Sequence, residues 1–520
     1  MEYEAVIGLE THVQLKTKSK MWCGCANQYG SDPNTNVCPV CLGLPGVLPV
    51  PNDEALRLTV LTGYLLNCEI PRFAKFDRKS YFYPDAPKNY QLTQYDKPST
   101  ANGFVDFEFN SGAGFQPVGR LEACPTMARV RITRAHLEED VGKSFHFERN
   151  SGVDFNRAGV PLMEIVSEPD ITSADMAYAY LNALVETLYA GGENKRVSDC
   201  DMEKGMVRCD VNISMRPVGS KELGAKIEIK NMNSFSGVRR AAEYEIARQI
   251  EVLKSGGKLI QSTRRWDDEA GITDEMRTKE HAHDYRYFPD PDLMPLAPTD
   301  AWLAEVKAVA DEIRPCIPFN AKRQIWDFYG ANAPRPPKFP LSAYDSGALA
   351  AHPPSASLFL QEVSYNHSYY LDYAKPIANL ILNNLKSEYL ASGIAPGQLD
   401  SSNFLVPPSG VAQIASASAE KKISNVTVQK MIHELVVNKN LTAEDVKRTI
   451  AKESSEQVSD TGAIEKFCDE AIAANPNPVA DYKAGKVAAL NSLKGQVMKL
   501  SKGKANPALV GEILERKLKS

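Results

Sequence analysis

The sequence predicts an α+β fold for residues 1–293, followed by an all-α domain at 294–410 and a small all-α tail domain at 411–520. Three observations support this division. Residues 2–15 alternate between polar and apolar side chains, the pattern of a half-buried strand. Strand-like and helix-like segments then mix without regular βαβ alternation, which favours a largely antiparallel sheet. Proline-rich punctuation at 291–295 and at 407–410 marks the two boundaries.

Composition excludes several classes of protein. The chain has 520 residues, a formal net charge of −5, 43% hydrophobic and 24% charged residues, which is ordinary for a globular protein and unlike disordered or collagen-like chains. No apolar run reaches the roughly 18 residues of a membrane span, and the acidic start lacks the features of a signal peptide. We therefore expect a cytoplasmic protein whose cysteines bind metal or are buried.

The first strand carries two candidate metal ligands. Glu10 and His12 lie two positions apart on its polar face, so their side chains point to the same side of the strand. The opposite face is apolar and is expected to pack on the core.

Four cysteines directly after this strand form the strongest metal signal. Cys23 and Cys25 are followed by Cys38 and Cys41, and two close pairs can converge as four thiolates around Zn²⁺. When four cysteines bind the metal, no coordination position is left for water or substrate, so such a site is structural. The alternative is four unrelated buried cysteines. The remaining cysteines lack such spacing and are interpreted as packing residues: Cys68, Cys124, Cys200, Cys209, Cys316 and Cys468.

Two further strands are predicted at 129–132 and 160–166. A carboxylate of interest follows the first strand, and another lies within the second. Glu139 lies in the acidic run 136–140, and Glu164 lies inside an apolar strand, where a buried charge needs a compensating cation or donor. Together with Glu10 and His12 they can bind Mg²⁺, which prefers oxygen ligands. The alternative is a set of separate surface salt bridges and one buried pair.

The sequence also predicts several helices. Ser173 is predicted to cap a helix that ends at 191–192, and another helix is predicted over 238–253. The tail is helical and, from residue 481, basic, which suggests either a solvated helix face or a surface that contacts nucleic-acid phosphates. Its basic residues are Lys483, Lys486, Lys494, Lys499, Lys502, Lys504, Arg516, Lys517 and Lys519.

Several common catalytic motifs are missing from the sequence. It contains neither a phosphate-binding P-loop nor a kinase-type glycine-rich loop, and neither a G-x-S-x-G elbow nor a Ser-Ser-Lys amidase pattern. If the protein uses ATP, it binds it through metals and dispersed basic groups.

A set of motifs resembles the GatB family, the B subunits of aspartyl/glutamyl-tRNA(Asn/Gln) amidotransferases. The matching segments cover much of the first 293 residues, whereas 295–410 departs from the family pattern. These segments are 6–15, 37–46, 75–79, 81–85, 136–140, 154–169, 208–214, 228–235 and 284–292, with 473–476 and 495–498 in the tail.

The resemblance implies an ATP-dependent ligase. Members activate the carboxyl side chain on Glu-tRNA(Gln), Asp-tRNA(Asn) or both as an acyl phosphate, which ammonia converts to the amide. An amidase subunit (GatA-like) releases ammonia from glutamine, and a small clamp subunit (GatC-like) completes a heterotrimer. The N-terminal cradle domain of the family is similar to the glutamine synthetase fold.

The resemblance also implies site residues. The Mg²⁺ ligands of the family fall on Glu10, His12, Glu139 and Glu164, with Glu139 also catalytic. Lys79 is expected near Glu139 at the mouth of the ammonia path, or as a surface lysine paired with Asp77.

The sequence leaves two roles open for Arg157: it contacts phosphate, or it ties a loop to a carboxylate. A competing hypothesis for the whole chain is a non-catalytic, zinc-bearing scaffold that binds tRNA through its basic tail.

Overall fold

The computed structural model describes most of the chain and divides it into two compact units, Met1–Phe319 and Asn320–Ser520. Cys124, Lys486, Lys502 and Lys504 lie outside the described residues. In the ranges that are described, no helix combines the length and apolar character needed to cross a bilayer. These ranges are 2–109, 126–192, 194–278, 285–331, 333–365, 367–393, 406–407, 409–438, 440–456, 461–483, 489–501, 505 and 507–519.

The first unit is built on a large, mainly antiparallel sheet, in agreement with the predicted fold class. Across the sheet the strands run β12-β11-β10-β9-β1-β8-β5-β3-β2-β13, with β4 paired to β5 and a separate β6–β7 hairpin. Only the β10–β11 pair among the described strand pairs is parallel. The strands are β1 (Tyr3–Gln14), β2 (Asp77–Ser80), β3 (Tyr90–Thr93), β4 (Gly103–Phe109), β5 (Thr126–Glu139), β6 (Lys143–His146), β7 (Ser151–Asp154), β8 (Pro161–Ser167), β9 (Val207–Pro217), β10 (Ile227–Lys230), β11 (Ser262–Asp267), β12 (Ile272–Thr278) and β13 (Phe288–Pro289).

Strand β1 lies at the centre of this sheet and shows the predicted alternation. Ile7, Leu9 and Val13 are buried in the core, whereas Glu10 and His12 are only partly buried. Because β1 pairs with β8 on one side and β9 on the other, its polar face is flanked by side chains from both neighbours.

Four longer helices complete the first unit: α1 (Asp53–Leu65), α2 (Ala174–Tyr189), α3 (Phe235–Lys254) and α4 (Asp300–Ile313). Ser173 caps α2 as predicted, accepting a hydrogen bond from the Met176 N–H. Helix α3 begins before residue 238 because Ser234 caps it through the Gly237 N–H. Residues of α4 join the same hydrophobic core as the sheet, so this unit continues beyond the predicted boundary at 293.

The second unit is helical, as the sequence predicts. A 3₁₀ turn (Leu371–Tyr373) and a π-helical turn (Leu380–Leu385) interrupt the α-helices. The α-helices from the boundary onward are α5 (Pro318–Tyr329), α6 (Ala343–Ala350), α7 (Pro353–Tyr365), α8 (His367–Tyr370), α9 (Ala374–Asn379), α10 (Lys386–Ala391), α11 (Gly410–Ala419), α12 (Asn425–Val437), α13 (Ala443–Glu456), α14 (Thr461–Ala474), α15 (Pro476–Lys483), α16 (Ala489–Leu500) and α17 (Pro507–Lys519).

This unit contains two hydrophobic cores. One joins side chains between residues 325 and 446 and therefore crosses residue 410, and the other joins side chains between 464 and 518. On the surface of the bundle around the second core, Arg516 pairs with Glu465, and Lys517 lies 2.7 Å from Asp469. Two of the basic residues of the tail are therefore neutralised within the bundle.

Candidate cation-binding active site

The polar face of the sheet brings titratable side chains from several strands into one row. In the register of the sheet, His12 of β1 lies opposite Arg208 of β9 on one side and opposite Glu164 of β8 on the other. His136 of β5 in turn lies opposite Glu164. Because side chains alternate between the two faces of a strand, polar residues at every second position collect on this face.

The first group on this face, here called the histidine cluster, consists of His12, Glu138 and Glu164. One ligand atom from each lies within 4.8 Å of the others, and His12 Nε2 is 3.6 Å from Glu138 Oε1. Oxygen Oε2 of Glu138 is buried without a hydrogen-bond partner among the described residues. A buried carboxylate oxygen in this state is costly, so the cluster fits a bound cation.

The pKa values of the two carboxylates in the histidine cluster shift in opposite directions. Burial raises the pKa of Glu138. For Glu164, burial acts in the same direction but is outweighed by His136, whose Nε2 is 3.3 Å from Glu164 Oε2, so that its pKa is lowered. Glu164 is therefore ionised at neutral pH and available as a metal ligand.

Lys79 of β2 supplies a positive charge beside this cluster. Burial alone would lower its pKa, but the charges of Glu138 and Glu164 outweigh burial and raise it. Its Nζ also lies 5.1 Å from the centre of the Tyr285 ring. Asp77, the alternative partner proposed from the sequence, is instead paired with Lys75.

Glu139 does not join the histidine cluster, although the sequence predicts it to be one of the metal ligands. It follows Glu138 on β5, so its side chain points to the opposite face of the strand. There its carboxylate lies 2.5 Å from Lys88 Nζ and accepts a 2.9 Å hydrogen bond from the Leu92 N–H. Glu138 occupies the place that was predicted for Glu139.

Glu10 belongs to a second group, here called the acidic cluster, with Asp210 of β9 and Glu228 of β10. Lys230 Nζ lies 2.5 Å from Asp210 and 2.9 Å from Glu228. Burial alone would lower the pKa of Lys230, but these two carboxylates outweigh it and raise the pKa. The four ligands predicted as one set are thus divided between two clusters and the opposite face of β5.

Sequence reasoning did not select Glu138, Asp210 or Glu228. A usable signal was present, because Asp210 and Glu228 lie in the motif segments 208–214 and 228–235, where polar residues alternate with apolar ones. What the sequence lacked was the strand order and register that place β9 beside β1 and β10 beside β9.

A cavity of about 820 Å³ opens on this unit and is lined by basic side chains. Arg208 donates from Nη2 to Asp140 Oδ2 at 2.9 Å, and Lys16 lies 2.9 Å from Asp199. The basic residues that line the cavity are Lys16, Lys143, Arg157, Lys204 and Arg208. Three acidic side chains, Asp154, Asp199 and Glu203, line it as well, so the excess of basic side chains is two. This excess and the volume suit an anionic ligand.

Arg157 lines the same cavity, but its guanidinium is engaged by the backbone. It donates to the carbonyl oxygens of Val141 (2.9 Å) and Gly142 (2.7 Å), and its Nε is 3.6 Å from Asp140. Of the two roles left open by the sequence, these contacts favour tying a loop to a carboxylate.

The predicted zinc ligands come together in what we call the cysteine cluster. The Sγ atoms of Cys23, Cys25, Cys38 and Cys41 all lie within 4.8 Å of one another. Tetrahedral Zn²⁺ with Zn–S bonds of about 2.3 Å requires thiolates at comparable separations, so the donor set fits this metal.

Local hydrogen bonds shape the second cysteine pair. The Cys38 N–H donates to Cys41 Sγ at 3.1 Å, and the Leu42 N–H donates to the Cys38 carbonyl at 3.1 Å. A hydrogen bond from Cys23, together with the Cys38 N–H and the charge of Lys20, outweighs burial and lowers the pKa of Cys41 to about 4. No other described cysteine belongs to a group of potential metal ligands.

Two protein-family models match the sequence of this chain. A family model described as the GatB/GatE catalytic domain matches residues 5–304, and one described as a GatB domain matches 367–518. These two models leave 305–366 unmatched, within the stretch that departs from the expected pattern.

Full-length relatives are also similar to the chain. A protein of Methylacidiphilum infernorum is 46% identical over 100% of this chain and 99% of its own length. Proteins of Caldicellulosiruptor bescii and Moorella thermoacetica are 42% and 43% identical over 100% of the chain, covering 99% and 100% of their own lengths. All three are named as the B subunit of an aspartyl/glutamyl-tRNA(Asn/Gln) amidotransferase.

Proposed function

The chain belongs to the GatB family of amidotransferase B subunits, components of a glutamine-dependent ligase, and we propose that it activates the carboxylate of a misacylated tRNA. The substrate is Glu-tRNA(Gln), Asp-tRNA(Asn) or both. The side-chain carboxylate attacks the γ-phosphorus of ATP, ADP leaves, and an acyl phosphate forms. Ammonia then attacks the acyl carbon, and phosphate leaves as the amide forms.

The observation that carries this proposal is that two clusters of potential cation ligands lie on one face of the sheet. The histidine cluster and the acidic cluster both draw a ligand from β1, through His12 and Glu10. Their carboxylates suit Mg²⁺, which would offset the repulsion between ATP and the attacking carboxylate and stabilise charge on the transferring phosphoryl group.

The protein's own groups prepare this face for an anionic substrate. Lys79 stays protonated at neutral pH because its pKa is raised beside Glu138, so it can donate hydrogen bonds to the substrate carboxylate or to the acyl phosphate. His136 holds Glu164 at 3.3 Å and thereby restricts its orientation. Lys79 is also proposed to lie at the mouth of an ammonia path, the role that the family resemblance implies.

The basic cavity is our candidate for the nucleotide pocket. Its volume of about 820 Å³ lies within the range of small-molecule sites, about 300–1,000 Å³. Arg208 connects it to the catalytic face, since Arg208 lies opposite His12 in the sheet. Arg157 contributes by ordering the loop at 141–142 that borders the cavity.

The remaining roles are assigned to partners and to other parts of the chain. Since the sequence shows no hydrolytic nucleophile motif, a GatA-like amidase is proposed to supply ammonia, with a GatC-like subunit completing the heterotrimer. The cysteine cluster is proposed to bind structural Zn²⁺. The helical tail is proposed to contact tRNA as a separate third domain, and the cradle to resemble glutamine synthetase.

The competing scaffold hypothesis is disfavoured by the same face of the sheet. A protein that only binds tRNA has no use for two groups of converging carboxylates, one of which contains a buried oxygen without a partner among the described residues. A buried carboxylate oxygen without a hydrogen-bond partner is costly, and a bound cation would offset that cost.

The test uses the reconstituted heterotrimer with Glu-tRNA(Gln), ATP and ammonium chloride. Formation of ADP and Gln-tRNA in equal amounts supports the proposal. Glu164→Gln should abolish both products, whereas Glu251→Gln, which changes an exposed carboxylate on α3, should leave them unchanged. Salt-sensitive tRNA binding without ATP turnover in the wild-type complex would establish the scaffold instead.

A further inference from the structure

Lys20 is a fully buried lysine that the proposed reaction does not use. Its side chain is 0% exposed, and Nζ donates to the Asn36 carbonyl oxygen at 2.9 Å. Among the described residues, no carboxylate lies within 4.0 Å of this ammonium group. Burying a charge without a counter-charge is strongly unfavourable, so this lysine needs a negative partner.

The second neighbour of the ammonium group is a cysteine of the metal site. Nζ of Lys20 lies 3.7 Å from Cys41 Sγ, and Cys41 is the member of the cysteine cluster that is buried. Four thiolates around one dication leave two uncompensated negative charges. A cation at this distance would neutralise one of them in an environment with little solvent.

The backbone holds Lys20 in this position. Its own N–H donates to the Cys25 carbonyl at 2.9 Å, and its carbonyl accepts from Asn52 at 3.2 Å. Gly159, with φ of +81°, packs beside it, since a Cβ there would lie 3.8 Å from Lys20 Cδ and 3.5 Å from Cys41 Cβ. The backbone of Lys20 is thus tied to the first cysteine pair through Cys25, while its ammonium group contacts Cys41 of the second pair.

We propose that Lys20 is a positioning residue of the cysteine cluster: its buried ammonium group is the counter-charge that stabilises the zinc-bound thiolate of Cys41. The inference rests on the proposed zinc site and adds a fifth residue to it. Its physical basis is that groups surrounding the ligands of a metal tune its affinity, and their loss typically costs about 10–100-fold.

The experiment measures zinc affinity of the full-length chain by competition with a chromophoric chelator. Lys20→Gln keeps a donor for the Asn36 carbonyl but removes the charge, and Lys20→Met removes both. Both variants should bind zinc at least about tenfold more weakly than wild type. Lys20→Arg, which restores a positive charge, should recover most of the affinity, and Lys18→Gln serves as the exposed control.

A second measurement separates charge from packing. With Co²⁺ in place of zinc, all variants should keep the absorption of a tetrahedral thiolate site, whereas alkylation of the zinc-loaded protein by N-ethylmaleimide should be faster in Lys20→Gln and Lys20→Met. Affinities within threefold of wild type in both neutral variants would overturn the role of Lys20. A wild-type chain that binds no zinc would overturn the zinc site itself and the proposal with it.

Discussion

The cysteine cluster and the two carboxylate clusters each bring together side chains that could hold a cation, but opposite kinds of sequence encode them. All four cysteines lie between residues 23 and 41, and turn hydrogen bonds within that loop arrange them. The carboxylate clusters draw on β1, β5, β8, β9 and β10, whose ligands span residues 10–228. A loop site is therefore encoded locally, whereas a site on a sheet depends on which strands are neighbours.

The two kinds of site also differ in how their charge is compensated. In the acidic cluster Lys230 bridges Asp210 and Glu228, and beside the histidine cluster Lys79 faces Glu138. In the cysteine cluster Lys20 faces a thiol instead of a carboxylate. Each site thus has a buried or half-buried lysine beside its ligands, which reduces the repulsion between them, and in the acidic cluster Lys226 also lies 3.7 Å from Glu10.

The strongest test of this comparison exchanges neighbouring carboxylates on β5. Glu138→Gln should lower ATP-dependent amidation by about 1,000-fold, or roughly 4 kcal/mol of transition-state stabilisation, because it removes a ligand from the histidine cluster. Glu139→Gln should retain most of the activity, since Glu139 points to Lys88. The measurement is Gln-tRNA formation by the heterotrimer with saturating ammonium chloride.

Thermal unfolding of both variants serves as the control, because Glu139→Gln leaves the buried end of Lys88 without its carboxylate. The opposite ranking, with Glu139→Gln inactive and Glu138→Gln active, would show that this sheet register does not describe the catalytic state.

The next effect concerns the locally encoded site. Cys41→Ser should lose zinc and destabilise the first unit by about 3 kcal/mol, because metal binding to an organised site contributes directly to folding. Metal content by atomic emission and the melting temperature of the chain check this expectation. Cys316→Ser, at an exposed cysteine outside the cluster, is the matched control, and full zinc content in Cys41→Ser would contradict the assignment.

A buried carboxylate outside both clusters provides a comparison without a cation. Glu362 of α7 is buried and accepts the Ala412 N–H at the start of α11 at 2.8 Å. Burial raises its pKa from 4.5 to about 7. Because the folded pKa is raised, its contribution to stability is complete below pH 4.5 and is lost as the pH rises through 7.

Relative to Glu362→Gln, wild-type stability should therefore fall by about 3 kcal/mol between pH 4.5 and pH 8. Parallel calorimetric melts of the two proteins across this range measure the difference. A constant difference at every pH would show that Glu362 has an ordinary pKa in the folded chain.

The smallest effect is expected in the acidic cluster. Glu228→Gln leaves Glu10 and Asp210 in place, so the Michaelis constant for ATP should rise about tenfold, or roughly 1.4 kcal/mol, with a smaller change in turnover. Titration of ATP against initial rates of the heterotrimer measures both. If turnover fell and the Michaelis constant did not change, the two clusters would act as one site.

Much of this protein could be predicted from particular residues. The alternation in β1 located Glu10 and His12 on the polar face, and Ser173 located the start of α2. The family resemblance selected Glu139, whereas the structure places Glu138 in the histidine cluster. A run of adjacent acidic residues shows no alternation that would separate the two. Lys20 was not selected either, since its burial follows from a loop that folds over it.

The sequence by itself determined the mixed fold, the helical second half, the cysteine cluster and the family motifs, because each depends on residues that are close in the chain. The tertiary structure decided which carboxylates lie together, since strand order and register place β9 beside β1 and β10 beside β9. Side-chain direction on a strand reverses with every residue, so a one-residue difference moves a ligand to the other face of the sheet.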